Sequence, residues 1–187
     1  MTNTLASIQQ ACTAQCTIDS PLGPVLLART ADGLAGVWFD QQQHHPSSVW
    51  NAPTLTRDPL LLRTRQLLER YFAGEAVAFD VRLDLHGTPF QRSVWQTLLH
   101  IERGRTSTYG EIAAQLGTPR ASRAVGAAVG RNPLSVIVPC HRVLGAGGAL
   151  TGYAGGLARK VALLDLESKP EPRTRAARAA PALEIAA

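Results

Sequence analysis

The chain has 187 residues, 45% of them hydrophobic and 18% charged, the composition of a globular protein rather than a disordered or fibrous one. That length holds one large domain or two small ones, and no run approaches the roughly 20 apolar residues that cross a bilayer. The first ten residues show no basic segment followed by an apolar stretch, so a cytoplasmic protein without a secretory signal is expected. Net charge is +5 but unevenly placed: residues 1–86 carry 6 Lys/Arg against 8 Asp/Glu, and residues 87–169 carry 10 against 4. The second half therefore suits a polyanion, because neutralising phosphates releases counterions.

Near the start, Cys12 and Cys16 form a C-x3-C pair. They could supply two zinc ligands, with His44, His45 or His86 as distant partners, but no second Cys/His pair completes a tetrahedral set. The favoured reading is two ordinary thiols near a frayed end, and no metal is expected. With Cys140 the cysteines number three, which argues against a disulfide framework. Residues 17–24 read as a short strand entering a turn, residues 25–28 as a second strand, Ala31-Asp32-Gly33 as a turn and residues 34–39 as a third strand. An antiparallel meander results. Residues 41–56 have loop composition and are expected at the surface. From Asp58 or Pro59 the positions Leu61, Leu62, Leu67, Leu68, Tyr71 and Phe72 recur near helical spacing, and Gly74 is a stop. A last strand is predicted over residues 76–85, leading into His86-Gly87.

The second half opens on a helix start. Thr88 can cap it and Pro89 fits its first position. Phe90, Val94, Leu98 and Ile101 then share a face, joined by Trp95 and Leu99. Thr108-Tyr109-Gly110-Glu111 has capping-box spacing for a second helix reaching Leu116. Gly117 ends it, and Thr118-Pro119 is expected to start a third at once, running to about residue 129. Together these predict a helix-turn-helix over residues 108–130; the alternative is an αα-hairpin used only for packing. Ala121, Ala124, Gly126, Ala127 and Ala128 leave the third helix poor in bulky groups, so it can approach a flat partner, with Arg120, Arg123 and Arg131 as its long side chains. Asn132-Pro133 forms a turn, and residues 134–138 read as a buried β-like run that delivers Cys140. The predicted fold class is α/β (α+β). A small N-terminal antiparallel-sheet and helix domain covers residues 1–86, and a mostly helical C-terminal domain with the helix-turn-helix covers residues 87–169. The Ala/Arg/Pro-rich tail, residues 170–187, is expected to be disordered.

Cys140 follows an apolar run and Pro139, with His141 and Arg142 beside it, an environment that can favour thiolate. Glu167, at the end of a helix predicted over residues 157–166, could orient the imidazole. Adjacent residues on an extended segment point to opposite sides, so His141 needs a bend or a bridging water to reach the sulfur. On these grounds alone, nucleophile, metal ligand and buried thiol remain open.

Pro139-Cys140-His141-Arg142-Val143, preceded by Arg123-Ala124-Val125-Gly126 and Asn132-Pro133, resembles the active-site region of the O6-alkylguanine-DNA alkyltransferases. The similarity includes Thr88-Pro89-Phe90-Gln91, Thr108-Tyr109-Gly110-Glu111, Thr151-Gly152-Tyr153-Ala154-Gly155-Gly156-Leu157 and Lys160, and upstream Thr17-Ile18-Asp19-Ser20-Pro21-Leu22-Gly23. The resemblance implies a DNA repair protein that moves an alkyl group from O6 of guanine, with O4 of thymine open, to its own Cys140 in a single turnover after nucleotide flipping. It implies that His141 takes the thiol proton through a water, that Glu167 polarises His141, and that Asn132 supports the Cys140 backbone. Tyr109 is then expected to protonate the departing guanine, and Arg123 to fill the gap in the duplex. Ser122, Ala124 and Gly126, with Tyr109 and Arg123, are implied at the DNA, the recognition helix entering the minor groove. Val143, Tyr153, Ala154 and Ser135 are implied around the base. The last two are small, which leans toward alkyl groups beyond methyl. The expected partner is duplex DNA containing O6-alkylguanine, bound by a monomer with no membrane and no cofactor.

Three other readings compete. An alkyltransferase-like protein that only binds lesions lacks the acceptor cysteine, which Cys140 supplies. A helix-turn-helix regulator with Cys140 as redox sensor would favour one operator sequence, and a thiol hydrolase using Cys140, His141 and Glu167 would turn over repeatedly.

Overall fold

Residues 4–46 and 52–170 are described by the structure, a computed structural model. The alternating first segment forms the expected meander: β1 (Ala14–Ile18), β2 (Val25–Arg29) and β3 (Leu34–Phe39), antiparallel and in chain order. Its register pairs Ile18 with Val25 and Val25 with Phe39. One face turns Cys16, Ile18, Val25, Leu27, Val37 and Phe39 into the main core. Helix α2 (Pro59–Phe72) covers that face. It starts where it does because the Asp58 carboxylate accepts the free N–H groups of Leu60 and Leu61 at 3.0 and 3.1 Å, and Pro59 needs no partner at the first position. Leu61, Thr64, Leu67, Leu68 and Tyr71 are its buried side.

The opposite face of the sheet is also covered. A helix, α1 (Thr4–Ala11), lays Ile8 on Ala28, Ala35 and Trp38. Gly36 is required here, because a Cβ would sit 1.8 Å from the Trp38 ring. The expectation of a frayed end is therefore corrected: burying Ile8 and the indole offsets the entropy of ordering α1. A side-chain relay pins it further. Ser7 donates to His86 Nδ1 at 2.7 Å, and His86 Nε2 donates to Asp84 Oδ2 at 2.6 Å, an oxygen that also accepts from Thr30 at 2.6 Å. Cys16 lies in the core while Cys12 is half-buried, its thiol donating to the Ala14 carbonyl at 3.4 Å.

Two predicted features of this half change. Residues 76–85 do not form a strand. Val81, Leu83 and Leu85 do alternate inward, but the free edge of β3 is divided between two short bridges, Leu34 with Leu83 and Val37 with Leu134. No room is left for a continuous ladder. Residues 41–56, expected at the surface, include the buried Gln42, whose Oε1 accepts from the Phe39 backbone at 2.9 Å and from Ser135 at 3.1 Å.

The second half begins with α3 (Pro89–Leu98), closed by a capping box between Thr88 and Gln91. After β4 (Ser107–Thr108) a second box, Thr108 with Glu111, starts α4 (Tyr109–Gln115). The third helix, α5 (Ser122–Gly130), begins later than expected. Residues 118–121 close a turn in which the Ala121 N–H donates to the Thr118 carbonyl at 2.8 Å, and Pro119 has no N–H to offer a helix. Helix α3 packs on both α4 and α5, and Trp95 donates to the Ala128 carbonyl at 2.9 Å. The segment β5 (Val143–Leu144) pairs in parallel with β4, and α6 (Leu157–Ser168) closes the fold. No helix among the described residues is long and apolar enough to cross a membrane. Of the expected tail, residues 171–187 lie outside the described residues.

The relay at His86 gives a direct test of how α1 is held. His86→Ala leaves Ser7 and Asp84 without their shared partner and is expected to lower stability by about 1–2 kcal/mol. The urea midpoint should fall accordingly, and proteolysis within residues 4–11 should quicken.

Candidate active site

Cys140 is not delivered by a strand. Residues 134–138, predicted as a β-like run, form a tight turn, and Cys140 opens a 3-10 turn, Cys140–Arg142. The physical cause is local. Val136 takes φ +72°, a left-handed conformation costly for a β-branched residue, and the backbone is folded back by Val138 N–H to Leu134 O at 2.9 Å and Cys140 N–H to Val138 O at 2.7 Å. The edge of β3 holds this turn from outside: Val37 donates to Pro133 O at 2.8 Å and Ser135 donates to Val37 O at 2.9 Å.

Asn132 clamps it from inside. Its Oδ1 accepts the Leu134 N–H at 3.0 Å, and its Nδ2 donates to Val138 O at 2.9 Å and to Cys140 Sγ at 3.0 Å. The thiol is buried, and burial pushes its pKa up to about 11; the Asn132 bond and the positive charge of Lys160 work in the other direction. A resting thiol rather than a thiolate results at neutral pH, with a donor already aimed at the sulfur.

His141 is fully buried on the same 3-10 turn, and its Nε2 donates to Glu167 Oε1 at 3.0 Å. Burial lowers its pKa, with the Glu167 bond and charge opposing. The neutral ring therefore carries its proton on Nε2 and a lone pair on Nδ1, an atom with no hydrogen-bond partner among the described residues. Burial alone would raise Glu167, but hydrogen bonds from His141 and Arg142 hold its carboxyl well below the usual carboxylate range. Arg142 donates from Nε to Oε2 and from Nη2 to Oε1, both at 2.8 Å, and from Nη1 to the Ile101 carbonyl.

Tyr109, at the first turn of α4, donates to the Gly152 carbonyl at 3.3 Å, and burial raises its pKa. With Gly126, Arg131, Gly152, Tyr153 and Ala154 it lines a cleft of about 320 Å³. Helix α5 lies against Tyr109, and a Cβ at Gly126 would make ordinary contact with the ring at 3.7 Å. A second depression of about 510 Å³ is lined by Tyr109, Ser122, Arg123, Gly126 and Ala146. Arg123 and Ala124 are exposed on α5. The buried Tyr153 hydroxyl has no hydrogen-bond partner among the described residues, and burial holds its pKa well above the ordinary tyrosine range. Ser135, beside the Tyr153 hydroxyl, and Val143 sit outside the lining of that cleft. Both are buried, the Ser135 hydroxyl is committed to Gln42, and the Val143 carbonyl accepts from Lys160 Nζ at 2.6 Å. Neither lines the cleft.

Two side chains at this centre were not singled out as site residues. Lys160 is buried with its ammonium on the carbonyls of Val143 and Thr151, the latter at 2.8 Å. Its spacing to Leu163 and Glu167 along one face of α6 is a sequence signal that could have marked it. Tyr71 donates to Glu167 Oε1 at 2.6 Å from 96 residues away, and in the sequence it is indistinguishable from the apolar positions around it.

A sequestered, clamped cysteine and a helix-turn-helix thus share one half of the chain, the arrangement of a DNA-binding protein with cysteine chemistry. Residues 15–85 match the family described as 6-O-methylguanine DNA methyltransferase, ribonuclease-like domain, and residues 89–169 match 6-O-methylguanine DNA methyltransferase, DNA binding domain. The chain belongs to this family. It is 51% identical over 157 residues to the methylated-DNA–protein-cysteine methyltransferase of Mycobacterium tuberculosis, covering 83% of this chain and 93% of that one. It is 49% identical over 151 residues to the protein of that name from Methanosarcina acetivorans, covering 80% and 94%. A crystal structure of Mycobacterium tuberculosis OGT in complex with DNA superposes with a TM-score of 0.76 at 49% identity, covering 86% of this chain and 96% of that one. The mixed α/β fold class is the one expected.

The depressed Glu167 carboxyl contributes stability that is complete above the ordinary carboxylate range and lost as pH falls through and below it. Glu167→Gln should remove that share of the acid-side slope. It should also lower stability at neutral pH by about 3–5 kcal/mol, since Arg142 loses its buried partner. Chemical denaturation from pH 3 to 7 reads both effects.

Proposed function

We propose that this protein repairs DNA by transferring an alkyl group from O6 of guanine in a duplex to Cys140. The observation that carries the reading is the Asn132 amide 3.0 Å from a buried Cys140 thiol whose 3-10 turn also holds the His141–Glu167 pair, in a chain of this family. The same turn supplies acceptor and base, and α6 supplies the carboxylate. Residues 87–169 bind DNA and react, while residues 1–86 brace the reacting turn through the edge of β3.

His141 Nδ1 takes the Cys140 proton through a water, and Glu167 stabilises the imidazolium that forms. The sulfur then attacks the carbon on O6: the S–C bond forms, the C–O6 bond breaks, and the electron pair passes into the guanine ring. Tyr109, still protonated at neutral pH because burial raises its pKa, returns a proton to the departing base. Asn132 holds the turn and donates to the developing thiolate, which a neighbouring Lys160 also favours. The stacked duplex keeps the reacting carbon out of reach, so the nucleotide is flipped at a penalty of a few kcal/mol. Arg123 occupies the gap, and Ser122, Ala124 and Gly126 let α5 lie close in the minor groove. The cleft beside Tyr109, Tyr153 and Ala154 receives the base, with Ser135 and Val143 supporting its wall from within. A small Ala154 leaves space for alkyl groups beyond methyl, and O4-alkylthymine is a second candidate substrate. The thioether has no reversal route, so each monomer acts once, without a cofactor.

Mass spectrometry after incubation with an O6-methylguanine duplex should show one added methyl on Cys140, abolished in Cys140→Ser. An unchanged wild-type mass sinks the proposal. Because Cys140 and its neighbours are close-packed, the added carbon should also strain the turn by about 1–3 kcal/mol. The methylated protein is expected to melt below the unmodified one in calorimetry.

A further inference from the structure

Two of the side chains that donate to Glu167, His141 and Arg142, belong to the reacting turn, while a third comes from the other half of the molecule. Tyr71, on α2, donates to Oε1 at 2.6 Å, the same oxygen reached by His141 Nε2 at 3.0 Å and Arg142 Nη2 at 2.8 Å. The phenol is 2% exposed and its ring is fixed on several sides. Phe72 and Phe79 pack against it with centroids at 5.5 and 5.9 Å, and the Arg103 guanidinium lies over it at 5.7 Å. Arg103 is itself anchored to the carbonyls of Leu166 at 2.9 Å and Gly74 at 3.1 Å. The hydroxyl is therefore aimed by α2, by the loop after α3 and by α6 together.

We infer that Tyr71 is a positioning residue for the transfer to Cys140, setting how much of the Glu167 charge reaches His141. The inference rests on the reading of Cys140 and His141 given above, and it assigns the N-terminal half a part in the reaction beyond bracing. A carboxylate oxygen shared among three donors divides its accepting capacity among them. Tyr71 is not itself a proton carrier, because burial and the neighbouring negative charge push its pKa far upward. It is a fixed donor. Removing it leaves Glu167 more basic toward His141, which then holds a proton more readily. The other groups facing the carboxylate are Arg142, His141 and the Gly104 N–H, with Arg103 alongside. Lys160 and Arg142 oppose protonation of His141. None of these changes when the phenol oxygen is removed.

The test is Tyr71→Phe in the full chain, which keeps the ring contacts and the Arg103 stack. The His141 imidazole is titrated by NMR in the free protein, with His141→Gln for assignment. The single-turnover transfer rate is followed against pH with an O6-methylguanine duplex. The His141 midpoint should rise by about half to one pH unit. The acid limb of the rate profile should move with it, making transfer about 3- to 10-fold slower below that limb, while the alkaline plateau and the Kd for undamaged duplex stay put. Replacing Tyr71 with 3-fluorotyrosine, a stronger donor, should move the midpoint the opposite way and serves if the phenylalanine variant does not fold. Leu67→Ala, a core lesion on the same helix, should lower Tm and leave the titration in place. The inference is overturned by a His141 titration that does not move in the Tyr71 variants. It is equally overturned by a rate lowered by the same factor at every pH, or by Leu67→Ala shifting the midpoint as much. If the wild-type protein gains no methyl at all, the proposed function fails, and the NMR titration still decides whether Tyr71 tunes His141.

Discussion

Glu167 is a carboxylate removed from water, and its surroundings follow from that. An ionised carboxyl in a protein interior is tolerated only when its oxygens are occupied by charged or strongly polarised donors. Here they come from three places: Tyr71 on α2, His141 and Arg142 on the 3-10 turn, and the Gly104 amide at the edge of hydrogen-bonding distance, 3.5 Å. Satisfying one charge thereby draws α2, the 3-10 turn and α6 to a single point. The arrangement also fixes the imidazole tautomer, because a carboxylate accepts and never donates. The lone pair is left on Nδ1, where a proton from the thiol can go.

The turn that carries Cys140 depends on a second, smaller device. Asn132 has one acceptor and one amino group, and it uses them on Leu134, Val138 and the Cys140 sulfur. A side chain that substitutes for several backbone partners lets the chain leave regular structure without stranding buried N–H groups. That is why an irregular segment can sit in the core with Val136 in a left-handed conformation. The edge of β3 closes it off from the other side, so sheet and turn are held as one unit. The Cys140 sulfur is thereby held in one fixed place.

Helix α5 plays the opposite part. Its exposed side is built of Ala, Gly and Ser with Arg123 projecting, and the side turned inward carries Val125, Ala128 and Val129. Small residues permit close approach at little desolvation penalty, and arginine supplies charge and reach. Trp95 secures the helix through the Ala128 carbonyl, so its outward face needs no bulky anchors of its own. A small-residue exposed surface and a packing surface are thus separated around nine residues.

Much of this architecture is legible in the sequence. Asp58-Pro59, Thr88-Pro89 and Thr108 with Glu111 mark helix starts because capping depends on neighbours only a few residues apart. The apolar run over residues 34–39, entered from the Ala31-Asp32-Gly33 turn, marks β3 for the same local reason. Cys140, His141, Asn132 and Glu167 also stand out as residue types in a recognisable order. What a linear reading misses is decided between distant segments. Residues 81–85 alternate like a strand yet form only one bridge, since the β3 edge they need is shared with Leu134. Residues 134–138 have strand composition yet turn, because Asn132 and β3 supply their hydrogen bonds from outside the segment. Tyr71 looks like a core position of an amphipathic helix, and only the fold brings its hydroxyl to Glu167. The sequence by itself determined the capped helices α2, α3 and α4, the meander and the chemistry-bearing residues, because caps and periodicity act over a few residues. The tertiary structure alone decided how Cys140 is mounted and what surrounds Glu167, because burial and the sharing of a hydrogen-bonding edge depend on segments far apart in the chain, as with Tyr71 and Glu167 or Val37 and Ser135.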